Sequence, residues 1–221
     1  MLTVRTLFDL NHTIGAKYLS QFFYPWDALP GLREQILSLG EKLPAHEYME
    51  LSPKVWVHYT ATVSATAHLS GPAIIGPNTE IRHCAFLRGS CLIGENCVVG
   101  NSTELKNVIL FDRVQVPHYN YVGDSILGYK AHMGAGSVTS NVKSDKTLVT
   151  VKNGAETLET GLKKFGAMLG DRVEVGCNSV LNPGTVIGRD SNVYPTSCVR
   201  GMVEANSIWK TGGIVVKKEN R

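Results

Sequence analysis

Two basic residues, Arg88 and Lys106, lie eighteen positions apart in the chain and could bind an anion. The six-residue repeat described below makes eighteen residues one full coil, so we expect the two side chains to stack on adjacent coils, about 4.8 Å apart. Stacked cations repel each other unless an anion lies between them. A phosphate meets that need, because guanidinium offers a planar fork of donors and ammonium a point charge. A carboxylate such as that of Glu104 would also neutralise the pair, and the spacing alone does not decide between the two.

One histidine, His118, lies in the segment Pro117-His118-Tyr119-Asn120, where the repeat is interrupted. We expect this segment to form an exposed loop, and functional groups concentrate in such loops. A histidine titrates near neutral pH and can take a proton from an attacking amine or hydroxyl group. A surface histidine without a catalytic role is the commoner alternative in a loop, and the polar neighbours favour the catalytic one only modestly.

A six-residue repeat supplies the scaffold for these residues. Its apolar column comprises Val57, Val63, Leu69, Ile75, Ile81, Leu87, Ile93, Val99, Leu105 and Phe111. Its small column comprises Ala61, Ala67, Ala73, Thr79, Ala85, Cys91, Cys97 and Thr103. A period of six suits a short strand followed by a tight corner, and three such units close one triangular coil around an apolar interior. The sequence therefore predicts an all-β fold, a left-handed parallel β-helix, since a β-sandwich has no reason to hold one register for so long.

Interruptions of the repeat predict the remaining local features. The register breaks at Pro117 and resumes at Tyr121, and a second interruption spans about residues 141–166. Within it, the dipeptide Asn153-Gly154 is typical of a two-residue turn and predicts an extruded hairpin. The repeat then returns and fades near residue 204.

We therefore predict three segments in the chain. They are an N-terminal helical and aromatic cap over residues 1–54, a β-helix domain over 55–204 and a C-terminal tail over 205–221. In the cap, apolar residues between Leu32 and Leu43 recur at three- or four-residue spacing, which predicts a helix of about ten to thirteen residues ending near Pro44. Such a helix could cover the open end of the β-helix or pack on a neighbouring subunit.

Composition and residue counts argue against several other kinds of protein and site. The net charge is only +3 with no block of like charge, which argues against a nucleic acid as partner. No apolar run is long enough to span a membrane and no secretion signal is visible, so we expect no membrane partner. The five cysteines form no C-x-x-C pair and their odd number argues against a disulfide framework, which favours a cytoplasmic location. No two of the seven histidines are five or eighteen positions apart, so no metal site is predicted.

Several short segments of the chain resemble one enzyme family. They are His118-Tyr119-Asn120-Tyr121-Val122-Gly123-Asp124, His132-Met133-Gly134-Ala135-Gly136, Asn141, Leu87-Arg88-Gly89 and the stretch from Asn101 to Lys106. In pattern and order they are similar to the acetyltransferase domain of the bifunctional UDP-N-acetylglucosamine pyrophosphorylase/glucosamine-1-phosphate N-acetyltransferase family. The resemblance covers about residues 80–200. The departures from the family pattern are His132 in place of asparagine, Val142 in place of tyrosine and Cys177 in place of the usual serine.

The resemblance implies a role for each matching residue. The implied general base is His118. The implied substrate-binding residues are Arg88, Lys106, Tyr121 and His132. The implied cofactor-binding residues are Ala135, Asn141 and Cys177. The resemblance further implies that acetyl-CoA is the co-substrate and that the chain forms a homotrimer with its sites between subunits.

The residues and the resemblance together predict an acetyl-CoA-dependent acyltransferase. We expect it to transfer an acyl group, expected to be acetyl, to an amino or hydroxyl group of a phosphorylated sugar or sugar nucleotide, with His118 as base. The alternative is a non-catalytic β-helix that binds a sugar nucleotide or a partner protein. His132 and Val142 favour that alternative, whereas His118 and the matching basic residues oppose it.

Overall fold

The computed structural model of the 221-residue chain describes residues 2–219. The outermost residues of the predicted cap and tail, Met1, Asn220 and Arg221, therefore lie outside the described part. Within residues 2–219 short strands dominate, and none of the helices is both long and apolar enough to cross a membrane.

The predicted left-handed parallel β-helix is confirmed, with strands stacked on three sides. The first side comprises β3 (Thr62–Val63), β6 (Glu80–Ile81), β9 (Val98–Asn101), β11 (Gln115–His118), β13 (His132–Met133), β18 (Glu174–Val175), β21 (Asn192–Val193) and β24 (Ser207–Lys210). The second side comprises β4 (His68–Leu69), β7 (Phe86–Leu87), the beginnings of β10 (Glu104–Leu110) and β12 (Tyr121–Leu127), β14 (Val138–Thr139), β19 (Val180–Leu181) and β22 (Cys198–Val199). The third side comprises β2 (Val55–His58), β5 (Ala73–Ile75), β8 (Cys91–Ile93), the ends of β10 and β12, β17 (Ala167–Leu169), β20 (Thr185–Ile187) and β23 (Met202–Val203).

Four further strands pair antiparallel. At the start of the β-helix, β1 (Tyr48–Ser52) pairs with β2. The interruption forms the hairpin of β15 (Thr150–Asn153) and β16 (Glu156–Glu159). Within the predicted tail, β25 (Ile214–Lys217) folds back on β24.

One residue at each corner has a left-handed backbone, and these residues trace the register. In the central coils they are Asn78, Cys84, Ser90, Asn96, Ser102, Asn107, Arg113, Tyr119, Asp124 and Lys130. Successive corners are six residues apart, except for Ser102 to Asn107 and Tyr119 to Asp124, which are five apart. The coil is accordingly one residue shorter here, because Glu104 pairs with Tyr121, seventeen positions later, whereas Phe86 pairs with Glu104, eighteen positions later.

The predicted break of the register at Pro117 is therefore wrong. The shift comes earlier, after Leu105, so that Leu110 and not Phe111 continues the interior column and pairs with Ile93. Both Leu110 and Phe111 are fully buried, which is why the sequence pattern could not distinguish them.

The shift also corrects the setting of two predicted site residues. Val122 is fully buried in the interior, so its neighbour Tyr121 lies outside the interior column, on the second side. His118 does not lie in an irregular loop, because it ends strand β11 and its backbone pairs with Asn101 of the preceding coil.

The N-terminal segment folds into short helices. These are α1 (Val4–Leu7), α2 (Ala16–Leu19) and α3 (Leu32–Gly40), with 3-10 turns at Leu10–His12 and Pro25–Ala28. Helix α3 has nine residues, fewer than predicted. It ends at Gly40 because the next amides bond three residues back, from Lys42 N to Leu39 O and from Leu43 N to Gly40 O. It contacts β5 and β10, and Gly40 lies against the ring of Trp56, so the helix packs on the third side rather than over the open end of the β-helix.

The same segment also covers the third side along its length. The outward column of that side is apolar throughout. Its buried members are Trp56, Ile74, Leu92, Ile109, Ile126, Met168 and Val186, and Met202 at its end is half-buried. Phe8 packs on Phe111 with 5.0 Å between ring centroids, and Trp26 packs on Phe165 with 5.6 Å. The first and second sides are left for other contacts.

The predicted extruded hairpin is confirmed, with its turn shifted by one residue. Asn153 pairs with Glu156, so the two turn residues are Gly154 and Ala155, and not Asn153 and Gly154. Val151 of β15 is fully buried. The hairpin therefore packs against the body of the β-helix at its base.

Candidate active site

Three predicted site residues, His118, Ala135 and Cys177, lie in one row at the corner between the first and second sides. A repeated main-chain pattern fixes this row. The carbonyl of His118 accepts a hydrogen bond from Gly136 N at 3.0 Å, and the carbonyl of Ala135 accepts one from Asn178 N at 2.8 Å. Because successive coils are spaced like strands in a β-ladder, the three residues follow one another at intervals of about 4.8 Å.

The side chain of His118 is exposed, and its ring nitrogens make no hydrogen bond within residues 2–219. Its main chain is fixed by Asn120, which is only 2% exposed. His118 N donates to Asn120 Oδ1 at 3.1 Å, while Asn120 Nδ2 donates to the carbonyls of Gly134 at 2.9 Å and Ser137 at 3.0 Å. The backbone of the histidine is therefore held rigidly, and its imidazole remains available to a ligand.

A second group of predicted residues, Lys106, Tyr121 and Asn141, meets around the carboxylate of Asp124. Asp124 Oδ1 accepts hydrogen bonds from Lys106 Nζ at 2.7 Å and from Asn107 Nδ2 at 2.9 Å. Asp124 Oδ2 accepts one from Asn141 Nδ2 at 2.6 Å. The Asp124 side chain is only 4% exposed, so these three donors replace its lost hydration. We call these five residues the Asp124 network.

Corner geometry brings the network together. Asn107 and Asp124 are the left-handed residues of the two shortened corners, and Asn141 lies seventeen positions after Asp124. The three side chains therefore emerge at one corner of successive coils. A carboxylate only accepts hydrogen bonds, so both asparagines must turn their NH₂ groups toward it.

Tyr121 lies across Gly123 of the same strand. A Cβ atom at Gly123 would lie 2.5 Å from Tyr121 Oη, so only glycine leaves room for the phenol. Asn141 Nδ2 donates to Tyr121 Oη at 3.2 Å, and the tyrosine hydroxyl hydrogen is then free to point at a ligand. Burial raises the pKa of Tyr121, and the charge of Asp124 raises it further. The phenol therefore stays neutral and can donate.

Arg88 lies beside Lys106, as the eighteen-residue spacing predicts, but each cation has its own carboxylate. The main-chain N of Arg88 donates to the Leu105 carbonyl at 2.8 Å. Arg88 Nη1 contacts Glu104 Oε1 at 2.7 Å, and this hydrogen bond raises the pKa of Arg88. In the ligand-free chain Arg88 is therefore neutralised by the carboxylate of Glu104. An anion that binds at Arg88 would have to replace this carboxylate.

His132 lies apart from both groups. It begins strand β13 on the first side, where its Nδ1 contacts Glu174 Oε2 at 2.8 Å. The single chain does not bring this side chain to the Asp124 network. As for metals, the part of the chain from Leu2 to Glu219 holds no cluster of three histidine, cysteine or acidic side chains that could bind an ion.

Comparison with known proteins adds a sequence relationship to this geometry. The bifunctional protein GlmU of Methanococcus vannielii is 34% identical over 149 residues, which cover 67% of this chain and 34% of the relative. GlmU of a Nostoc species is 34% identical over 162 residues, covering 73% and 30%. A bifunctional sugar-1-phosphate nucleotidylyltransferase/acetyltransferase of Sulfurisphaera tokodaii is 30% identical over 135 residues, covering 61% and 32%. The chain thus matches about a third of the length of each relative.

The chain resembles the acetyltransferase domain of the bifunctional GlmU proteins. No family model matches it. Among solved structures, the polySia-specific acetyltransferase NeuO aligns with a TM-score of 0.45 at 13% identity, covering 75% of this chain and 87% of NeuO. A hexapeptide transferase family protein from Anaplasma phagocytophilum aligns with a TM-score of 0.40 at 16% identity, covering 75% and 81%.

The candidate site contains supporting residues to which sequence reasoning gave no role. In the sequence, Asp124 and Gly123 are part of a segment that matches the family, and Asn120 is a polar neighbour of His118. None of the three has a predicted role. The spacing of seventeen that relates Asn107, Asp124 and Asn141 was the available signal. It was hidden because the register shift had been placed at Pro117.

Proposed function

We propose that the chain transfers an acetyl group from acetyl-CoA to an amino or hydroxyl group of a phosphorylated sugar or sugar nucleotide. The observation that carries this proposal is the free imidazole of His118 in one row with Ala135 and Cys177, at the edge of the second side that also carries Tyr121 of the Asp124 network. The GlmU relatives support the acetyl donor. The relative from Sulfurisphaera tokodaii is named for sugar-1-phosphate nucleotidylyltransferase and acetyltransferase activities, which supports a sugar-phosphate acceptor.

His118 acts as the general base in this proposal. As the acceptor nitrogen or oxygen attacks the thioester carbon, the new bond to carbon forms and the C–S bond breaks. The neutral imidazole takes the proton from the attacking group and later returns it to the departing thiolate of CoA. The hydrogen bond from His118 N to Asn120 Oδ1 fixes the backbone from which the ring extends.

Ala135 supplies the hydrogen-bond donor for the thioester oxygen. The neighbouring amides are already occupied, since Gly134 N donates to Val175 O at 2.7 Å and Gly136 N donates to His118 O at 3.0 Å. The N–H of Ala135 makes no such bond within the described chain. A preorganised donor at this point stabilises negative charge on the oxygen as the bond forms.

The second side binds the acceptor. Tyr121 donates its hydroxyl hydrogen to a sugar oxygen, while Lys106 and Arg88 attract the phosphate. When the acceptor binds, its phosphate must replace Glu104 as the partner of Arg88. Lys106 keeps its contact with the buried Asp124. The exposed pair at Arg88 is the weaker of the two and opens more easily.

We further propose that three copies assemble through the uncovered first and second sides. The N-terminal segment occupies the third side and leaves the other two for a neighbour. In such an assembly His132 on the first side of one subunit can approach the Asp124 network of the next. Light scattering checks this, and a monomer at micromolar concentration would leave His132 without a place in the acceptor site.

The decisive experiment measures acetyl transfer and CoA binding for His118→Ala. Turnover should fall by about 10² to 10⁴ while CoA affinity changes little, because the base acts on the proton and not on cofactor binding. The matched control is His46→Ala, which removes an exposed histidine distant in sequence from His118 and should keep full turnover.

Binding of acetyl-CoA separates this proposal from a non-catalytic role. At a hundredfold excess over its dissociation constant, acetyl-CoA should add about 2.7 kcal/mol to the free energy of unfolding. The absence of a thermal shift with acetyl-CoA would favour a β-helix that only binds a sugar nucleotide or a partner. Equal turnover of His118→Ala and wild type would instead remove His118 as the general base. A panel of amino-sugar phosphates and their deaminated analogues distinguishes an amino from a hydroxyl acceptor.

A further inference from the structure

A cleft of about 380 Å³ lies between the segment 141–166, which contains the hairpin and is called the excursion below, and the last coils of the β-helix. Its outer wall contains Lys143, Thr150 and Lys152 of the excursion, and its inner wall contains Asn182 and Arg200. Ser140, which also lines the cleft, directly precedes Asn141 of the Asp124 network. The cleft therefore adjoins the Asp124 network.

Close backbone packing brings together the bases of two cationic side chains of this cleft. Gly201 has a φ of +71°, and a Cβ atom there would lie 2.8 Å from the Lys152 carbonyl oxygen and 3.2 Å from Lys152 Cβ. Arg200 immediately precedes this contact, so the bases of the Lys152 and Arg200 side chains are held close together. Neither side chain has an ion pair or hydrogen bond within the described residues.

The carboxylate of the cleft does not compensate these charges. Asp145 contacts Lys143 Nζ at 3.5 Å and also accepts hydrogen bonds from the amide and hydroxyl of Thr147. Lys143 and Asp145 thus neutralise each other, and two positive charges remain uncompensated. The charges at the ends of two such neighbouring side chains repel each other, and an anion bound between them removes that repulsion.

We propose that this cleft binds the linked phosphates of a ligand. The chemistry is shared by two sources, the diphosphate of CoA and the diphosphate of a nucleotide-activated sugar, and the assignment to either rests on the proposed acetyl transfer. Paired cations suit a diphosphate because Arg200 can grip one phosphate with its fork while Lys152 attracts the other. Ser140, Thr150 and Asn182 provide neutral polar groups around them.

Calorimetric titration of the full chain tests the proposal with pyrophosphate, CoA, pantetheine and UDP as probes. Lys152→Ala and Arg200→Ala should each weaken pyrophosphate by about 10-fold to 100-fold, because each removes a charge-assisted contact. Both side chains are exposed, so their removal should leave the fold intact. Lys163→Ala removes an equally exposed lysine of the same excursion outside the cleft and should keep wild-type affinity.

The probes also identify the source of the phosphates. If the cleft serves CoA, both variants lose affinity for CoA and keep it for pantetheine, which lacks the phosphates. If it serves the acceptor, they lose affinity for UDP and keep it for CoA. Wild-type affinity of both variants for all four probes, or an equal loss in Lys163→Ala, would overturn the proposal. Because binding is measured directly, a chain that binds pyrophosphate in the cleft but transfers no acetyl group would refute only the proposed function.

Discussion

Removing the carboxylate of Asp124 should destabilise the chain more than removing any exposed acid. Asp124 is 4% exposed and accepts hydrogen bonds from Lys106, Asn107 and Asn141 at 2.6 to 2.9 Å. Each hydrogen bond to a charged group contributes about 1.5 to 3 kcal/mol, and breaking a buried ion pair costs about 3 to 5 kcal/mol. Lys106 is 27% exposed and recovers some hydration, so we expect a loss of about 3 kcal/mol in Asp124→Ala.

Thermal unfolding measures this loss. For a chain of this length, about 3 kcal/mol lowers the melting temperature by about 6 to 12 °C. The control is Asp145→Ala, which removes an exposed carboxylate and should leave the melting temperature unchanged. A double-mutant cycle with Lys106→Met should show that the two losses are less than additive, since the second change removes the cation that the first leaves unpaired.

Two results would refute this reasoning. One is a fall in melting temperature no larger than that of the Asp145 control. The other is strict additivity of the Lys106 and Asp124 losses, which would mean that the two side chains do not depend on each other. Asp124→Asn keeps the shape but turns an NH₂ group toward donors, so it should rescue little of the stability.

The remaining predictions concern Tyr121 and the cysteines. Gly123→Ala places a methyl group 2.5 Å from Tyr121 Oη, so the ring should turn away from Asn141. The KM for the acceptor should then rise at least as much as in Tyr121→Phe. An unchanged KM would contradict the role of Tyr121 in binding the acceptor. In an alkaline titration, the difference between wild type and Tyr121→Phe should show a phenol ionising above pH 10. The unfolded chain releases this proton at lower pH than the native one, so wild-type stability should fall with rising pH more steeply than that of Tyr121→Phe. Burial raises the pKa of Cys91 and Cys97 to about 12. Before unfolding, a thiol reagent should therefore label only the three exposed cysteines, Cys84, Cys177 and Cys198, and after unfolding it should label all five.

The sequence alone predicted the β-helix and much of the candidate site. The six-residue pattern is local, because each aliphatic residue faces the interior and each small residue fits a corner regardless of what lies elsewhere. The matching segments supplied His118, Ala135 and Cys177, whereas their alignment in one row depends on the register of the coils. The stacking of Arg88 on Lys106 also followed directly from the eighteen-residue coil.

The position of the register shift could not be read from the sequence. Leu110 and Phe111 are both apolar, and the pattern assigned the wrong one to the interior. In the structure Leu110 faces the interior, while Phe111 packs on Phe8, which lies more than a hundred residues earlier. The apolar outward column of the third side was a signal for this cover, but periodicity alone does not say which segment supplies it.

The partners of the charged residues were likewise decided by tertiary structure. Spacing brought the cations together, yet it could not show that Glu104 pairs with Arg88 and Asp124 with Lys106. Asp124 finds its donors on the coils below and above, and their alignment depends on two corners that are each one residue shorter. Hydrogen bonds between coils depend on register to a single residue, which only the assembled β-helix defines.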